Sequence, residues 1–226
     1  MTKRVVVAVT GASGVVYSIR LVEVLRAAGC DVHLSISANA VPVLQRELGL
    51  SVDVDRFRLE MLDLDRRPSD PRVDRLRGAA GRPELPDPPD VGTRAQPGVV
   101  RYHHYADFMA PIASGSFLTD GMVICPCSSS TLSAIVHGSG TNLIHRAAEV
   151  HLKERRKLIL VPRETPLSLV QLDNLRRAAE AGAVILPAMP GFYHGAGTIG
   201  DLIDFVVARV CDQLAVPNEL IRRWGT

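Results

Sequence analysis

Aromatic residues are scarce in this 226-residue chain, which has five Phe, four Tyr and one Trp. Nor does one sign of charge dominate: 26 Lys and Arg against 24 Asp and Glu give a formal net charge of +2, far from the basic excess of a general polyanion binder. Long apolar runs are missing too. The stretches at 5–9 and 183–186 fall far short of the roughly 20 residues that cross a bilayer, and the opening residues lack the apolar core of a signal peptide. The expectation is therefore no nucleic-acid partner, no membrane and a cytoplasmic location. The four cysteines are Cys30, Cys125, Cys127 and Cys211, and the closest pair is spaced C-x-C where a zinc knuckle or redox motif needs C-x-x-C. Reduced, mostly buried thiols are expected. The seven histidines show no H-E-x-x-H or comparable spacing, so no metal is assigned.

With 46% hydrophobic and 22% charged residues, the chain has the composition of a soluble globule, and its length suits one α/β domain over 1–226. A β-branched run at 4–9 leads into a glycine turn, after which Ile19, Leu21, Val22, Leu25 and Ala28 recur at helical spacing up to Gly29. A second strand at 31–37 and a helix at 39–48 follow. Between about 66 and 100 the periodicity stops; seven of the 15 prolines and no aromatic residue lie there, which marks a surface insertion. Strands resume at 121–125, 157–161 and 183–186, with helices at 131–137, 143–155 and 168–182. A last helix at 201–214 puts Leu202, Phe205, Val206, Val210 and Leu214 on one face and Asp204, Arg209 and Asp212 toward the other. Strands alternating with helices imply a Rossmann-like, doubly wound parallel sheet of about five strands.

In such a sheet the turns at the carboxyl ends of the strands carry the ligand. The first, Thr10-Gly11-Ala12-Ser13-Gly14, offers close backbone approach and free N–H groups at a helix start. It is neither G-x-G-x-x-G nor a P-loop, and Ser13 serves equally as a helix cap or a ligand contact. Ser37 closes the second strand at the same edge. In Cys125-Pro126-Cys127-Ser128-Ser129-Ser130-Thr131, four consecutive hydroxyls suit a phosphate or a ribityl chain, whereas capping accounts for one or two of them. Arg163 and Glu164 follow the next strand, as a functional pair or a surface ion pair. Lys153 lies in a charged run at 151–157 that helix-dipole complementation explains. The loop at 187–195 presents Phe192, Tyr193 and His194, which stack on a flat ring or pack beneath the loop. Periodicity alone reads Arg209 as solvated.

Seven segments in order resemble the flavin prenyltransferases, the UbiX-like or phenylacrylic acid decarboxylase-like family. They are Val9-Thr10-Gly11-Ala12-Ser13-Gly14, Ala113-Ser114-Gly115-Ser116, Met122-Val123-Ile124-Cys125-Pro126-Cys127-Ser128, Asn142-Leu143-Ile144-His145-Arg146-Ala147-Ala148, Leu152-Lys153-Glu154-Arg155-Arg156, Val161-Pro162-Arg163-Glu164-Thr165-Pro166 and Pro190-Gly191-Phe192-Tyr193-His194. The resemblance covers 1–48 and 105–226. It implies a metal-independent transferase, typically a homododecamer with sites at subunit interfaces, that moves a dimethylallyl group from dimethylallyl monophosphate to N5 and C6 of reduced FMN. The product, prenylated FMN, would serve a UbiD-like decarboxylase. By motif position Gly11, Ala12, Ser13, Ser37, Ser128, Ser129, Ser130, Thr131 and Arg163 would hold FMN, and Arg146, Lys153, Tyr193 and Arg209 the prenyl phosphate. Glu47 and Glu164 match the carboxylates that handle protons, with Ser13 close to N5. The chain departs from the pattern in a longer stretch between Leu48 and Tyr105 and in Phe108, where some members have tryptophan.

Two rival readings stand beside it. FMN-dependent decarboxylases of cysteinyl substrates share a loosely similar turn, but they carry a histidine after the second helix and a Pro-x-Met-Asn motif, and here the late loop reads Pro187-Ala188-Met189-Pro190. A non-catalytic flavin-binding subunit would have no use for four phosphate ligands.

Overall fold

The computed structural model describes residues 2–62, 64 and 97–225. Its strands are β1 (Arg4–Val9), β2 (Asp31–Ile36), β3 (Val100–Tyr102), β4 (Gly121–Cys127), β5 (Leu158–Pro162) and β6 (Val184–Ile185). All pair in parallel, in the order β3-β2-β1-β4-β5-β6. The helices are α1 (Val15–Ala27), α2 (Val41–Leu48), α3 (Ser129–Val136), α4 (Leu143–Lys153), α5 (Leu169–Glu180) and α6 (Ile199–Gln213). The doubly wound expectation holds, with one strand more than the five expected.

That extra strand is β3. It starts at Val100, inside the stretch expected to be a surface insertion, and it pairs Val32 with Val100 and Leu34 with Tyr102. The chain is already docked before it: the Gly98 N–H donates to the Arg26 carbonyl and the Val32 N–H to the Val99 carbonyl, both at 2.8 Å. Residues 97–100 therefore belong to the sheet edge. The rest of the expected insertion, 66–96, lies outside the described residues.

β1 lies in the middle of the sheet and is buried on both sides, so its run of valines has no polar alternation. Successive side chains instead serve two different cores. Val5, Val7 and Val9 pack with Val15, Leu21 and Leu25 of α1 and Val206 and Val210 of α6. Val6 and Ala8 pack with Leu132 and Ile135 of α3 and Leu143, Ile144 and Ala147 of α4. No helix among the described residues is long and apolar enough to cross a membrane.

Two further expectations change. The residues before α2 form a short 3-10 turn, Ala38–Ala40, with Pro42 in the first turn of the helix proper. Asp204 is not on the solvated face of α6. It is buried and accepts from Arg20 of α1, at 2.7 Å from Nε and 3.1 Å from Nη2, because α1 covers that flank and supplies the compensating charge. The four cysteines are free and buried, as expected, and burial pushes the Cys127 thiol up to about 12.

Candidate functional site

Between β1 and β4 the chain reverses the direction in which it adds strands, and at such a switch point two strand ends open a crevice. Thr10 ties the two ends together. Its buried hydroxyl donates to the Pro126 carbonyl at 2.7 Å and accepts the Ser128 N–H at 2.8 Å. The β1–α1 turn and the start of α3 are thereby held side by side.

The β1–α1 turn needs its glycines. A Cβ on Gly11 would lie 2.8 Å from the Asn39 carbonyl oxygen, so the close approach of this turn to the end of β2 admits no side chain. Gly14 caps α1 with φ of 102°, a conformation open to glycine. No side chain within the turn caps the helix, which removes the cap role considered for Ser13. The cap comes from α2: Glu47 Oε2 accepts the Gly14 N–H at 2.9 Å and the Val15 N–H at 3.2 Å. The first free N–H groups of α1, expected to face a phosphate, are therefore occupied by a carboxylate, and Glu47 stands one residue from Ser13.

Arg163 reaches the same turn, its Nε donating to the Ser13 carbonyl at 3.4 Å. Ser37, at the end of β2, is fixed by its N–H to the Val9 carbonyl at 2.9 Å, while its hydroxyl is shielded from solvent and has no hydrogen-bond partner among the described residues. A buried hydroxyl left unpaired costs on the order of 1–3 kcal/mol, and at this strand end it is free to bond a ligand atom.

The four hydroxyls after β4 divide into different tasks. Ser128 Oγ caps α3 by accepting the Thr131 N–H at 3.3 Å, donates to Thr131 Oγ1 at 3.0 Å and lies 3.2 Å from Ser130 Oγ. Ser129 instead faces the β5–α5 loop, where its hydroxyl donates to Glu164 Oε2 at 3.3 Å. Gln171 of α5 joins that pair, its Nε2 donating to Ser129 Oγ at 2.8 Å and to Glu164 Oε2 at 3.3 Å. Glu164 is thus bound to a serine and an amide, and Arg163 turns away to the glycine turn.

Gly11, Ala12, Ser13, Ser37, Glu47, the 128–131 run, Arg163 and Glu164 all stand at the carboxyl edge of the sheet. Of the other four expected ligands, Tyr193 lies in the loop that follows β6 at this same edge, and Lys153 does not. Lys153 ends α4, with residues 154–157 between it and the start of β5, and so lies at the opposite, amino edge, paired with Glu154. Arg146 Nε donates to the Ala113 carbonyl at 3.0 Å. Arg209 is exposed on α6 and paired with Asp212 at 2.8 Å, in keeping with its solvated reading. The ring of Tyr193 is exposed and meets Phe205 and Trp224 edge-on. Thr10 and Gln171 were not singled out from the sequence. The Ser-x-x-Gln spacing of Ser168 and Gln171 is a helix-start signature that would have marked the second, but no local signal marks Thr10.

The profile of the family described as Flavoprotein matches residues 1–211. Among curated proteins, a flavin prenyltransferase UbiX of Halalkalibacterium halodurans is 42% identical over 219 residues, covering 97% of this chain and 92% of that protein. One from Pseudomonas aeruginosa is 40% identical over 223 residues, covering 99% and 94%. Among solved structures, AnUbiX in complex with FMN and dimethylallyl pyrophosphate superposes with a TM-score of 0.77 at 35% identity, covering 100% of this chain and 99% of that one. A dodecameric FMN-dependent UbiX-like decarboxylase from Escherichia coli O157:H7 also gives 0.77, at 33% identity and with 99% and 100% covered. The cysteine decarboxylase TvaF, at 13% identity and 0.52, shares the fold alone. A flavoprotein-type sheet with its polar groups gathered at the β1/β4 switch point, and about 40% identity over almost the whole length, make this chain a member of the UbiX-like flavin prenyltransferase family.

Proposed function

We propose that the protein transfers a dimethylallyl group from dimethylallyl monophosphate to N5 and C6 of reduced FMN, and that the prenylated FMN passes to a UbiD-like decarboxylase. The observation that carries this reading is the likeness over the full chain to AnUbiX, whose structure holds FMN and dimethylallyl pyrophosphate. The residues at the switch point fit a flavin mononucleotide: a buried hydroxyl at Ser37 unpaired among the described residues, a turn at Gly11 stripped of side chain, and a hydroxyl run at the same strand edge as the Arg163 guanidinium. Gly11, Ala12, Ser13, Ser37, Ser128, Ser129, Ser130, Thr131 and Arg163 would hold it. FMN, bound in its reduced form, supplies the nucleophilic ring positions.

The remaining chemistry falls to side chains. Breaking the allylic C–O bond builds negative charge on the departing phosphate, which Arg146, Lys153, Tyr193 and Arg209 stabilise as it develops. Since Lys153 lies at the amino edge of its own sheet, the four converge only when several copies contribute, and a homododecamer with sites between subunits meets that need. Glu47 and Glu164, anchored on either side of the crevice, are the groups placed to take or return a proton.

The test is anaerobic: purified protein, FMN, dithionite and dimethylallyl monophosphate, with mass spectrometry of the released flavin. The expected result is a gain of one C5 unit, lost in Lys153→Ala and reduced in Tyr193→Phe. Unmodified flavin with both the monophosphate and the pyrophosphate would overturn the proposal.

A further inference from the structure

Gln171 is the third residue of α5, and its carboxamide is fixed at both ends. Its Oε1 accepts the Ser168 N–H at 2.8 Å while its own N–H donates to Ser168 Oγ at 3.3 Å, closing a capping box. Because the Ser168 N–H can only donate, the amide oxygen must face it, and the Nε2 group must turn to the opposite side. There it meets Ser129 Oγ at 2.8 Å and Glu164 Oε2 at 3.3 Å. Ser129, accepting from Gln171, donates its own O–H to Glu164 Oε2. One carboxylate oxygen of Glu164 therefore takes two donors, and the other has no hydrogen-bond partner among the described residues.

A helix cap alone does not explain the choice of an amide. Glutamate serves as well at that position of a capping box, but here it would set a second carboxylate against Glu164. Of the elements around Glu164, α3 presents the Ser129 hydroxyl and α5 the Gln171 amide, while the neighbouring cation on its own loop, Arg163, is engaged with the Ser13 carbonyl.

We propose that Gln171 is a positioning residue for the transfer reaction. With Ser129 it holds Glu164 Oε2 in place, so that Oε1 is the oxygen that exchanges a proton in the crevice. The inference deepens the proposed function and rests on its reading of Glu164 as a proton-handling group.

The test compares full-length Glu164→Gln, Gln171→Glu and Gln171→Leu with the unaltered enzyme. Prenyl-transfer rates are measured from about pH 5 to about pH 9, and thermal unfolding of the flavin-free proteins over a similar range. Gln171→Leu should lower kcat about 3- to 10-fold with little change in KM. Gln171→Glu keeps the capping box but sets a second carboxylate against Glu164, and should change the pH profile of kcat. In the flavin-free protein it should lower the melting temperature, through the repulsion between the two carboxylates. A Glu164→Gln enzyme with full activity overturns the reading of Glu164 and this inference with it. An inactive Glu164→Gln enzyme beside a Gln171→Glu enzyme with an unmoved profile overturns the inference alone.

Discussion

Glu47 accepts the backbone N–H of Gly14 at 2.9 Å from 33 residues further along the chain. A carboxylate on α2 thus neutralises the positive end of α1, and it fixes the distance between the glycine turn and the second helix. Replacing it with alanine leaves two N–H groups without a protein partner. Glu47→Ala should cost about 1–2 kcal/mol in urea unfolding, and Glu47→Gln about half of that. An unchanged midpoint for Glu47→Ala would show that water serves the helix end equally well.

Thr10 carries the second link in the crevice. Thr10→Val keeps the shape but strands the Ser128 N–H and the Pro126 carbonyl in a buried position. The expected loss is about 1–3 kcal/mol, with weaker FMN binding measured by flavin fluorescence quenching. Thr10→Ser, which retains the hydroxyl, should recover most of both.

His33 and His103 set a pH limit on stability. Their rings are parallel, with His33 Nδ1 and His103 Nε2 2.8 Å apart, a contact that needs one N–H and one lone pair. Burial first, then the neighbouring His103 and Arg101, hold His33 down at about 4, and burial lowers His103 as well. The unfolded chain therefore binds more protons than the folded one between about pH 4 and about pH 6.5, so stability rises with pH through that window. Calorimetry should find about 2–3 kcal/mol lost on acidification across it. In His33→Asn most of that slope should disappear; a slope equal to that of the unaltered chain would assign the effect to other groups.

Arg20 and Asp204 hold α1 to α6 through an ion pair in which both side chains are almost wholly buried. Asp204→Ala leaves the buried guanidinium with Glu23, at 3.3 Å, as its remaining carboxylate partner and should cost about 3 kcal/mol. The double change Arg20→Met with Asp204→Leu should restore most of the unfolding midpoint, since two apolar groups need no compensation. Equal losses in the single and double variants would mean that the apolar replacements do not pack.

The strands that bury a long apolar run were legible from residue order alone, β1 and β4 above all, because periodicity and β-branching coincide there. β3 was not, since it has three residues and follows a proline-rich stretch, and its pairing depends on backbone bonds to Arg26 and Val32 that leave no side-chain pattern. Asp204 was misplaced for a related reason. A helix wheel separates charged from apolar residues but does not register that another helix brings a buried arginine to meet one of them. At the site, motif order marked Ser13, Arg163 and Glu164, whereas the partners that fix Gly14, Ser129 and Ser128 come from distant parts of the chain. Lys153 shows the limit most clearly, since its motif is plain in the sequence and its own fold carries it to the far edge of the sheet.

The division of β1 between two cores also constrains how this protein can vary. Val5, Val7 and Val9 answer to one helical layer, Val6 and Ala8 to the other, so a substitution at any one position disturbs only the layer it faces. Adding or removing a single residue between Arg4 and Val9 exchanges the two sets wholesale and shifts Thr10 away from Pro126 and Ser128. Within this strand, neutral drift is open to swaps of side-chain volume and closed to changes of length.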